Sequence, residues 1–152
     1  MPTVRDVANF FLSKSEENTE WAITHLKLQK LVYYAQAWFV TLYPHRNFLF
    51  DEQIEAWVHG PVCRELYNEY RYEGYNVLKL ADNADEPNFD PEESDALEAV
   101  WAAYGKMDGK YLEALTHNED PWLQARQNLN EYDYSTNVIT IEAMRNYYSQ
   151  RI

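Results

Sequence analysis

A chain of 152 residues, 46% hydrophobic with 13 Tyr and 5 Trp, has the length of one domain with a sizeable core and the composition of a folded protein rather than a disordered one. Its formal charge of −12 repels nucleic-acid phosphates and attracts basic partners, its apolar runs are too short to span a bilayer, and its single cysteine, Cys63, cannot form an internal disulfide. With no charged-then-apolar order at Met1–Asp6 to mark a secretory signal, the expectation is a soluble cytoplasmic protein without cofactor or metal, binding neither membrane nor, by itself, nucleic acid.

Thr3-Val4-Arg5-Asp6 resembles a capping box, and Val4, Val7, Ala8 and Phe11 follow at helical spacing, which predicts a short first helix. Ser13 to Glu20 is polar and reads as a loop. Thr24 is a good N-cap, with Ile23 and Leu28 placed as a hydrophobic staple. The helix it opens carries Leu28, Leu31, Val32, Ala35, Phe39 and Leu42 on one stripe, widened by Tyr34 and Trp38, and it ends near Tyr43-Pro44.

Asn47–Phe50 and Ile54–Val58 read as two short strands. Gly60-Pro61 is expected to stop the second and to open a helix bearing Val62, Leu66 and Tyr70, with Gly74 as its stop. Val77–Leu80 is a candidate third strand. Asp90-Pro91-Glu92-Glu93 has the form of a helix start, with Leu97, Val100, Trp101 and Tyr104 on the buried face. Asp108 caps a further short helix, Asp120-Pro121-Trp122 repeats the cap-then-proline device, Asn128–Asn137 is a polar loop, and Thr140 caps a last helix with Ile141, Met144 and Tyr148. The expected fold is mainly α, a compact bundle of about six to seven helices with a small β-hairpin or short antiparallel sheet, forming a single domain over residues 1–152.

Chemistry-bearing residues are sparse. His25, His45, His59 and His117 are scattered and no cysteine cluster accompanies them, so no metal site is expected. Cys63 lies four residues after His59, but nothing at recognisable spacing supplies an orienting acid or oxyanion hole. His59 either contacts a partner or holds its own turn through a backbone hydrogen bond. His117 and Trp122 either line a groove with Trp57 and His59 or belong to a helix-to-helix junction in which Trp122 is a core anchor. Tyr33 and Tyr43 fall off the main stripe, and Tyr67, Tyr72, Tyr75, Tyr132 and Tyr134 sit near predicted ends and loops, where Tyr suits an interface. Tyr67, Arg71 and Tyr75 are a candidate binding rim. Asp82, Asp85, Glu86, Asp90, Glu92, Glu93, Asp95 and Glu98 fall in a stretch, Leu80–Gly105, without Lys or Arg; it is either a solvated face or a landing strip for a basic protein.

Three blocks taken in order resemble the Panacea antitoxin domain, also called SocA-like or GepA-like. They are Lys27–Trp38, then Ile54–Val62 with Leu66-Tyr67, then Leu115-Thr116-His117 with Glu119, Pro121 and Trp122 after Tyr104-Gly105. The resemblance implies a bacterial or prophage protein encoded beside an unrelated toxin and neutralising it as a protein antitoxin, without enzymatic activity or established catalytic residues. It also leaves open an adaptor that hands its client to a protease. A Cys/His hydrolase built on Cys63 with His59 or His117 is the remaining alternative. The candidate partner-binding residues are Trp57, His59, Tyr67, Arg71, Tyr75, Asp90, Glu92, Glu93, His117 and Trp122; the partner is a cognate toxin, expected to be basic, with room for a homodimer.

Overall fold

Every residue from Lys27 to Ala37 is buried, although four of them are Lys or Gln. They lie on α2 (His25–Leu42), which packs against α1 (Val4–Leu12), α3 (Arg64–Tyr70), α4 (Pro91–Tyr104), α5 (Gly109–His117), α7 (Ile141–Tyr148) and strand β2 (Gly60–Cys63). A helix enclosed on all sides has no solvent face for polar groups, so each must find an internal partner. The computed structural model describes residues 1–84 and 86–152; Asp85, one of the acids of the predicted landing strip, lies outside the described residues. Among the described residues are seven α-helices, completed by α6 (Asp120–Ala125), and one three-stranded antiparallel sheet of order β2-β1-β3, with β1 Ile54–Trp57 and β3 Val138–Ile139. None of these helices is long and apolar enough to cross a membrane.

The polar residues of α2 act as struts. Lys27 Nζ donates to the carbonyls of Gly105 at 2.6 Å and Glu20 at 3.0 Å. Gln29 both accepts from Cys63 N–H at 2.9 Å and donates to Cys63 C=O at 3.2 Å, and Lys30 Nζ donates to Pro61 C=O at 3.1 Å. Gln36 accepts from Leu49 N–H and donates to Phe50 C=O, each at 2.7 Å. The Tyr34 and Tyr148 hydroxyls donate to one oxygen of Glu119 at 2.7 and 2.8 Å, and the Tyr33 hydroxyl lies 3.0 Å from that of Tyr148. These bonds leave no strut with a desolvated, unpaired head, which would destabilise the fold by about 1–3 kcal/mol each.

Most predicted helix starts form as expected. Thr3 and Asp90 make full capping boxes with Asp6 and Glu93, and Thr24, Asp108 and Thr140 cap α2, α5 and α7. Four local expectations are corrected. Gly60-Pro61 opens β2, the return strand of a hairpin, and α3 begins only at Arg64. Asn47–Phe50 is irregular because Gln36 takes up its backbone groups. Val77–Leu80 is also irregular, held by a Leu78 N–H to Ile23 C=O bond, and the third strand comes from Val138–Ile139. At α6 the N-cap is Glu119 rather than Asp120, and its side chain turns inward to the tyrosines. Tyr33, expected off the main stripe, is core, whereas Leu42, expected on it, is exposed.

Candidate functional site

The β1–β2 hairpin is clamped onto α2 along its outer edge. Pro61 has no N–H, so the ladder loses nothing by its facing away from β1. Pro61 C=O and both backbone groups of Cys63 face α2, where Lys30 and Gln29 satisfy them. At the turn, Gly60 has φ +106° and its Cα sits so close to α2 that a Cβ would lie 2.7 Å from Lys30 Cε and 3.0 Å from Thr116 Oγ1. Glycine is therefore required twice, for backbone conformation and for space.

The clamp opens a cavity of about 270 Å³ between the start of α2, the hairpin, α3 and α5. Five of the predicted binding residues, Trp57, His59, Tyr67, Arg71 and Tyr75, line it, together with His25, Gln29, Lys30, Lys110 and Glu113. The Trp57 and Tyr67 rings meet edge-to-face at 4.7 Å, and the Arg64 guanidinium lies 5.4 Å from the Trp57 ring centre. Glu55 fixes both, accepting from Trp57 Nε1 and Arg64 Nη2 at 2.8 Å each. On the far wall His59 Nδ1 is 3.2 Å from Glu113 Oε2, while the other oxygen of Glu113, buried and without a hydrogen bond, faces Lys110 Nζ at 3.6 Å. Burial pushes Lys30 down to about 7, against the pull of Glu113. Burial, with Lys30 close by, also pushes His25 down to about 4, so that its ring is neutral. The short segment after α3 bends out at Gly74, φ +56°, and leaves Tyr72 and Tyr75 84% and 87% exposed, with Tyr75 at the cavity mouth.

The other predicted residues lie elsewhere. His117 and Trp122 stack at 4.1 Å and line a neighbouring cavity on α6; Trp122 Nε1 donates to Trp57 C=O at 2.8 Å, so it braces the back of the hairpin. Burial lowers the pKa of His117, opposed by Glu113. Asp90, Glu92 and Glu93 converge on Arg46 at 3.0, 2.9 and 3.0 Å, beyond the C-terminal end of α2. Backbone bonds at the helix start, then Arg46, hold Asp90 below its ordinary range, and Arg46 with His45 does the same for Glu92. Lys30, Lys110 and Glu113 were not anticipated as part of a site. Their signal was present in Lys27, Gln29 and Lys30, polar residues inside an otherwise apolar helix that demand buried partners.

Cys63 is buried, and burial together with the Glu65 carboxylate 3.1 Å from Sγ pushes its thiol up to about 12. A nucleophilic cysteine needs the opposite shift. Among the described residues no three His, Cys, Asp or Glu side chains converge as a metal ion would require.

Residues 28–123, more than half of the chain, match the family model of the antitoxin SocA-like, Panacea domain. The chain belongs to this family. No curated protein and no solved structure matches it. In this Panacea domain the matched span runs from the first turns of α2 into α6 and contains the hairpin, α3, α5 and nearly every residue of the cavity lining. The helices α1 and α7 fall outside the match but pack on α2 and complete its enclosure.

Proposed function

We propose that this chain is a cytoplasmic antitoxin that neutralises a cognate toxin by direct binding, with the toxin seated on the face around the Trp57–Tyr67 cavity. The observation that carries the reading is the pairing of exposed Tyr72 and Tyr75, which follow α3, with half-buried Trp57 and Tyr67 on a hairpin and helix that pack on α2 through β2 and α3. Large aromatic side chains on a preformed scaffold supply contact area at low ordering cost, which is how a few residues come to dominate an interface. The net charge of −12 favours a basic toxin and speeds its encounter, with Asp82 and Glu86 exposed for that purpose. Inhibition then follows from occlusion of the toxin and makes or breaks no covalent bond.

The test is co-expression with the toxic product of the neighbouring gene. Restored growth and co-purification of the two chains are expected; continued growth arrest with no complex recovered would count against the reading.

A further inference from the structure

Basic side chains are the minority here, 13 Lys and Arg against 25 Asp and Glu. Yet Lys30, Arg71 and Lys110 all line the same cavity, opposed by a single carboxylate, Glu113. Lys30 is fully buried, and among the described residues its ammonium has one hydrogen-bond acceptor, Pro61 C=O at 3.1 Å, for three N–H donors. Burial makes this amine shed its proton in the neutral range, and an anion brought into the cavity favours the charged form again. The opposite wall is aromatic, formed by Trp57 and Tyr67 edge-to-face, so that a ligand ring can lie on the face of one and against the edge of the other. The volume of about 270 Å³ lies just below the usual range for ligand sites, room for a base and a phosphate with the sugar at the cavity mouth.

We propose that this cavity binds a small anion bearing a flat ring, of the class of a nucleoside monophosphate, with the ring against Trp57 and Tyr67 and the phosphate at Lys110 and Arg71, in the field of buried Lys30. The size of the ligand follows from the charge around it. A nucleic-acid strand would place most of its phosphates in the field of a chain of charge −12, whereas a mononucleotide places its only phosphate at the cationic wall. The proposal uses the same cavity as the proposed toxin face but does not need the toxin, since the titration is of the chain alone.

Isothermal titration of the full chain with AMP and GMP tests it, with inorganic phosphate and the nucleosides adenosine and guanosine as separate arms. Saturable binding of a monophosphate at least about tenfold tighter than that of phosphate or nucleoside is expected, and Lys110→Glu and Arg71→Glu, both at exposed positions, should each weaken it by about tenfold or more. A monophosphate bound no better than its nucleoside, affinity unchanged in both charge-reversed variants when circular dichroism shows them folded, or no saturation by either nucleotide up to about 10 mM would each overturn the proposal.

Discussion

Lys30 shows how a single side chain can serve structure at a cost that pH reveals. Burial lowers it to about 7, so above that value the folded chain binds fewer protons at this site than the unfolded chain, whose lysine titrates near 10.5. Stability therefore rises with pH across that window. Lys27, lowered to about 8 by burial, acts in the same direction and is retained in a Lys30→Met variant. Cys63, raised to about 12, acts oppositely once pH passes the ordinary thiol value of 9, which sets the upper limit of the useful range. In urea unfolding, the stability of the natural chain relative to Lys30→Met should grow by about 1–2 kcal/mol between about pH 7 and 8.5. A difference that stays flat would show that Lys30 does not titrate in the folded core.

At the scale of elements, the hairpin stands out because its position depends on α2 and its turn on Gly60. Gly60→Ala forces a Cβ to within 2.7 Å of a fully buried side chain at φ +106°, and should destabilise by about 2–4 kcal/mol in chemical denaturation. Gly74 supplies the internal comparison: at φ +56° and ψ −123° with open space around it, Gly74→Ala should cost about 1–2 kcal/mol from backbone strain alone, less than Gly60→Ala. Equal losses would mean that contact with Lys30 and Thr116 is not what fixes the turn. Helix starts were legible in the sequence because caps are local: Thr3, Thr24, Asp90, Asp108 and Thr140 act on backbone groups within the next turn. Strand pairing was not, because it is decided at a distance. Gly60-Pro61 carries the local signature of a helix start, and only the Gln29 and Lys30 side chains, 34 and 31 residues earlier than the backbone groups they bond, make an edge strand of it. Glu119 was likewise hidden behind Asp120-Pro121, since its role depends on Tyr34 and Tyr148 from remote helices. The aromatic side of the candidate site could be read directly, while its charged floor of Lys30, Lys110 and Glu113 required the packing of α5 against α2.

For the molecule as a whole, α2 is the axis. Its 18 residues span about 27 Å, with the aromatic cavity at one end and the Arg46 cluster of acids at the other. Asp90, Glu92 and Glu93 are paired with Arg46, and Glu98 lies 3.5 Å from Lys14, so in the proposed complex steering would fall to the exposed remainder of the acidic stretch and contact to the aromatic face. The residues that carry the family resemblance divide in the same way. The polar groups of Lys27–Trp38 point inward and brace, and Trp57, His59 and Tyr67 are what they hold in place. The claim that a toxin is held on this face is tested most directly by titrating the purified toxin into the natural chain and into a Tyr72→Ala/Tyr75→Ala variant. Both tyrosines are exposed, so the variant should melt within about 0.5 kcal/mol of the natural chain. The account predicts saturable binding to the natural chain and an affinity at least about tenfold weaker for the variant; equal affinity for the two would contradict it.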